Sequence, residues 1–173
     1  FTLDPNSGSV MGAMWNADET QIVSWLEDGT TKVWDSSSGE LILVTSADND
    51  LPITLAEFNP DETRLITSDW ESNKLWDMTT GNLLFTFGDW RFGAKWNADG
   101  TRLLTWAQDQ SVDVWDMTNG GLLYAIQPDS FVGGATWTAD DSQFITWTVD
   151  GTVKVWDAGF DQLMKIARQK AVP

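Results

Sequence analysis

The sequence predicts an all-β chain made of four copies of one four-stranded antiparallel unit, and three observations carry that prediction. The dipeptide Trp-Asp stands at Trp34-Asp35, Trp76-Asp77, Trp115-Asp116 and Trp156-Asp157, at intervals of 42, 39 and 41 residues. Each pair closes a short run of alternating apolar residues, as in "GTVKVWDAG" at 151–159. Each run is flanked at fixed offsets by stretches rich in Asn, Asp, Gly and Pro, the residues that tight reversals require.

Every copy begins with a strand ending in an aromatic: "GAMWN", "LAEFN", "GAKWN" and "GATWT", carrying Trp15, Phe58, Trp96 and Trp137. A polar turn follows, written "NADET", "NPDET", "NADGT" and "TADDS". The second strand reads "QIVSW", "RLITS", "RLLTW" and "QFITW", and a turn such as "EDGT" or "VDGT" leads to the Trp-Asp strand. Asp-x-x-x-Gly then reverses the chain at Gly39, Gly81 and Gly120 before a fourth strand such as "LLFTF" or "LLYAI". Large aromatics dominate cores, so Trp15, Trp34, Trp96, Trp115, Trp137 and Trp156 are expected to be buried. Trp25, Trp106 and Trp147 each follow the hydroxyl of the second strand and so point to its opposite face. Packing between neighbouring units is the expected use of these three, with an aromatic ligand cage as the alternative.

Composition narrows the function classes. Twenty-six acidic against ten basic residues leave a net charge of −16, which repels phosphate backbones and anionic headgroups, so neither nucleic acid nor membrane is expected as a partner. The chain has no cysteine and no histidine, which removes disulfides, thiolate nucleophiles, the commonest metal ligand and the usual general base of a serine triad. No apolar run approaches the roughly 20 residues that span a bilayer, and no secretory signal is written at the start. A soluble, cytoplasmic protein without cofactor or metal is the expectation.

The repeated grammar over about residues 10–157 resembles the WD40 repeat family. That resemblance implies WD40-type β-propeller blades: four four-stranded antiparallel blades forming a partial or half propeller, with a short C-terminal helix. The repeats run about 10–46, 53–87, 92–127 and 133–157 within a region 1–161. A hydroxyl, an acid and an indole recur as Ser24, Asp28 and Trp34; Thr67, Glu71 and Trp76; Thr105, Asp109 and Trp115; and Thr146, Asp150 and Trp156. In the family such a trio forms a hydrogen-bonded network completed by a histidine. No histidine is present, so the hydroxyl, the indole and backbone amides are expected to satisfy the acid. The second copy is one residue shorter between its hydroxyl and its Trp, which predicts an irregular turn around Glu71.

Residues 1–9, "FTLDPNSGS", align with "FTFGDWR" at 85–91, the outer strand and exit loop of a preceding blade. Residues 162–173 carry Leu163, Ile166 and Ala167 at helical spacing, with Lys165, Arg168 and Lys170 suited to a helix C-terminus. Repeat units cannot bury both faces alone, so four blades need neighbours. These come from further blades of a longer chain or from a second copy that completes a ring.

Acid pairs such as "DET" recur at the same turn of successive copies and are explained by the turn, not by carboxylate catalysis. "TVDGTVKVW" misses the sialidase Asp-box by the place of its Gly, and "SADNDLP" stops short of an EF-hand. Function is therefore expected on the loop-bearing face of the blades, where "SADNDLP", "GDWRF" and "PDSF" differ most. Trp70, in the irregular turn, with Trp90 and Arg91 is the candidate partner-binding group, because Trp and Arg are favoured interface anchors. The alternative is that both indoles cap the gap between blades. A non-catalytic interaction or ligand-sensing scaffold, part of a larger, bacterial multidomain protein, is the expected function; a structural half-propeller is the alternative, and an enzyme is not expected.

Overall fold

The computed structural model describes residues 3, 8–46, 51–88, 93–107 and 110–159. Regular structure among them is all β: fifteen strands in four antiparallel sheets, with no helix. The first sheet is β1 (Val10–Trp15), β2 (Gln21–Leu26), β3 (Thr30–Asp35) and β4 (Leu41–Ser46). The second is β5 (Leu55–Phe58), β6 (Arg64–Ser68), β7 (Asn73–Asp77) and β8 (Leu83–Phe87). The third is β9 (Gly93–Trp96), β10 (Arg102–Trp106), β11 (Val112–Asp116) and β12 (Gly121–Ile126), and the fourth holds β13 (Val132–Trp137), β14 (Gln143–Thr148) and β15 (Val153–Asp157). Strands within each sheet neighbour one another in chain order. The expected helix over 162–173 lies outside the described residues, as does the expected outer strand and loop over 1–9 apart from Leu3, Gly8 and Ser9.

One irregularity repeats. Pairing of the third strand with the fourth slips at Val33/Trp34, Leu75/Trp76 and Val114/Trp115, so each indole-bearing residue stands opposite Leu41, Leu83 or Leu122. Such a bulge sharpens the local twist and re-aims the side chain beside it. The turn that follows closes on a glycine with φ of 74 to 75° at Gly39, Gly81 and Gly120, whose amides donate to the carbonyls of Asp35, Asp77 and Asp116. Only glycine adopts that backbone without strain.

The chain divides into two compact units, residues 1–91 and 92–173. In the first unit Val23 and Val33 of one sheet are buried against Leu65 and Trp76 of the next, with Met14, Trp25, Leu43, Ala56 and Phe58 packed around them. In the second unit Leu104, Val112, Val114, Tyr124 and Ile126 of the third sheet meet Val132, Ala135 and Phe144 of the fourth. Phe144 stacks on Trp156 and meets Trp137 edge-on.

The burial expected of the repeated indoles divides accordingly. Trp34, Trp76, Trp96 and Trp115 are buried, Trp137 and Trp156 are half-buried, and Trp15 is 56% exposed. Trp15 lies on the edge strand β1, whereas Trp34, in register with the same Ile22 but on the inner strand β3, is buried, so position within the sheet separates the two indoles.

Candidate functional site

The hydroxyls and indoles singled out by the repeat are hydrogen-bonded in all four sheets. Trp34 Nε1 donates to Ser24 Oγ at 2.9 Å, Trp76 to Thr67 Oγ1 at 2.8 Å, Trp115 to Thr105 Oγ1 at 2.8 Å and Trp156 to Thr146 Oγ1 at 3.0 Å. The acids are elsewhere. Asp28 accepts from the amide (3.0 Å) and hydroxyl (2.7 Å) of Thr30, and Asp150 accepts from the Thr152 amide (3.0 Å) and the Thr148 hydroxyl (2.6 Å). These bonds, those from the hydroxyls first, hold both carboxyls below the ordinary aspartate range. With no imidazole to bridge acid and hydroxyl, each carboxylate caps its own turn. Asp109 lies outside the described residues.

In the second sheet the expected acid, Glu71, is an exposed turn residue, and its place is taken by Asp69. Asp69 is 3% exposed, accepts from the amides of Glu71 and Ser72 at 2.8 Å each, and pairs with the buried Lys74 ammonium. Lys74 also donates to Ser72 Oγ at 2.9 Å, while Ser68 donates to Asn73 Oδ1 at 2.6 Å. A turn one residue shorter brings the earlier acid under the strand end, where pairing with Lys74 and the amides of Glu71 and Ser72 offset its desolvation.

Trp70 follows Asp69 directly and is 53% exposed. The fixed base beneath it holds a large amphipathic side chain toward solvent, the arrangement that suits an interface anchor. Trp90 and Arg91, its expected companions, lie outside the described residues.

Two features were not singled out from the sequence. Glu62 accepts from the Ala17 amide and from Asn16 Nδ2 (3.2 Å), and Asp141 accepts from the Ala98 amide (3.0 Å) and Asn97 Nδ2 (3.1 Å), so a turn carboxylate ties each sheet to the one before it in its unit. The signal was present as an acid directly after the turn aspartate, at Asp61-Glu62 and Asp140-Asp141. The second feature is an open cleft of about 370 Å³ lined by Arg102, Asp116, Thr118, Leu123, Tyr124 and Ala158. Arg102 Nη1 donates to the Ala158 carbonyl at 3.1 Å beside it. The Tyr124 hydroxyl is buried with no hydrogen-bond partner among the described residues, and burial pushes its pKa up to about 12.

Among the described residues no three His, Cys, Asp or Glu side chains gather as a metal ion requires, and no helix is long and apolar enough to cross a membrane. No protein-family model matches the chain, and no curated protein matches it.

Proposed function

We propose that the chain is a WD40-type propeller segment serving as a non-catalytic interaction scaffold, with Trp70, Trp90 and Arg91 as the partner-binding group. Four sheets of one meander order, each carrying the same indole–hydroxyl bond, support the repeat reading. Rigid strands that hold variable turns suit binding. The observation that carries the site is Trp70, exposed immediately above the buried Asp69–Lys74 pair. The net charge of −16 favours a partner with a basic surface.

Trp70→Ala is expected to change unfolding stability by no more than about 0.5 kcal/mol and to abolish capture of partner proteins by the immobilised chain. Trp90→Ala and Arg91→Ala are expected to do the same. A loss of several kcal/mol at Trp70 would make it a packing residue and remove the site; unchanged capture by all three variants would remove the binding reading.

A further inference from the structure

We propose that Asn119 is a modification site, at which the side-chain amide is hydrolysed through attack by the Gly120 nitrogen whenever the turn between β11 and β12 opens. The inference is independent of the Trp70 site and rests on a comparison of three turns within the chain. Each joins the third strand of a sheet to the fourth, and each is braced by a side chain placed three residues after the aspartate. In the first sheet Ser38 Oγ donates to Asp35 Oδ1 at 3.0 Å and accepts from the Glu40 amide at 3.2 Å. In the second Thr80 Oγ1 donates to Asp77 Oδ1 at 3.0 Å and accepts from the Asn82 amide at 3.3 Å.

In the third sheet the brace is Asn119. Its Nδ2 donates to Asp116 Oδ2 at 3.1 Å and its Oδ1 accepts from the Gly121 amide at 2.7 Å, so the carboxamide divides between two atoms what a hydroxyl does with one. The longer side chain needs room, and Gly121 provides it: a methyl group there would meet Asn119 Oδ1 at 2.7 Å. Glu40 and Asn82 fill that place in the other turns. Two successive glycines give the opened turn more conformational freedom than its counterparts have. They also leave the Gly120 nitrogen without a Cβ beside it to obstruct its approach to Asn119 Cγ. No other asparagine in the sequence precedes a glycine.

The closed turn withholds the reaction. The Gly120 amide donates to the Asp116 carbonyl at 2.8 Å, and the nitrogen must lose that proton to act as a nucleophile. The Asp116 carboxylate beside the carboxamide opposes the negative charge that attack develops on Oδ1. In the open turn the Gly120 nitrogen bonds to Asn119 Cγ, ammonia leaves with the side-chain nitrogen, and a cyclic imide remains. Water opens the imide at either carbonyl, leaving aspartate or isoaspartate, so one water is consumed for each ammonia released. Either product replaces the Nδ2 donor with a carboxylate facing Asp116, and isoaspartate also lengthens the main chain by a methylene. The turn then does not close as before, and β12, which brings Tyr124 and Ile126 to the core, loses its anchor.

Incubation of the 173-residue chain beside a peptide of residues 116–122, in one buffer at mildly alkaline pH, tests this. Mass spectrometry locates the amide-to-acid conversion, and an aspartate-specific protease, which cuts before aspartate and not before isoaspartate, separates the products. The peptide should convert, the folded chain should convert at least about tenfold more slowly, and urea that unfolds the chain should bring the two rates together. Asn119→Asp, the mimic of one product, should speed amide hydrogen exchange at Gly120 and Gly121 about tenfold, whereas Asn119→Thr, which copies the brace of the second sheet, should keep it within about twofold of the wild type. Conversion of the folded chain at the peptide rate, an intact Asn119 in the urea-unfolded chain, or wild-type exchange in Asn119→Asp would overturn the proposal.

Discussion

Gly12, Gly93 and Gly134 face Trp25, Trp106 and Trp147 across the first two strands of their sheets. A methyl group on any of the three would meet the indole Cζ2 at 2.1 to 2.3 Å, so the ring lies directly on the glycine backbone. The second sheet has changed both partners, with Leu55 opposite Ser68. Bulk on one strand has been exchanged for bulk on the other, as cross-strand packing requires. Gly93→Ala should therefore destabilise the chain by about 1–3 kcal/mol through overpacking. Adding Trp106→Ser to Gly93→Leu, which copies the second sheet, should recover part of the loss suffered by Gly93→Leu alone. Urea unfolding of the variants measures the coupling; strictly additive effects would show that the two side chains do not share one space.

At the scale of the element, the turns are held by aspartates. Asp18, Asp61, Asp99 and Asp140 each accept from the hydroxyl and amide of the residue two places on, and these bonds, with the hydroxyl contribution first, lower their pKa values. Asp35 is lowered to about 2, by the Ser37 hydroxyl first and then by the Ser38 amide and hydroxyl. A carboxyl lowered in the folded state adds stability that is fully present above its unfolded pKa, about 3.9, and is lost as pH falls through the folded value. Thermal unfolding should thus be flat in this respect above about pH 5 and its midpoint should fall between about pH 4 and pH 2. A midpoint unchanged across that window would show that the turn bonds do not contribute. These turns, like the strands, were legible because their chemistry is local. Asp69 was not, since the identity of the buried acid depends on how a shortened turn settles under the strand end. Glu62 and Asp141 were also missed: their acidity looks like ordinary turn composition until the preceding sheet supplies an amide. Trp15 shows the same limit, because an indole's burial depends on what packs against it.

Across the molecule as a whole, the tryptophans among the described residues serve at least three uses: locking strands together, covering glycines, and standing exposed at Trp15 and Trp70. The opening repetition of Trp-Asp is explained by the first use. Each sheet fixes its third strand to its second through one indole and one hydroxyl, and the repeated lock leaves turns and outer faces free to differ. Hydrogen exchange of the indole N–H groups, followed by nuclear magnetic resonance on tryptophan-labelled chain, tests that claim most directly. Trp34, Trp76 and Trp115 should exchange at least about a hundredfold more slowly than a free indole, as buried hydrogen-bonded donors in stable sheets do. Exchange of all three at the free-indole rate would contradict the account.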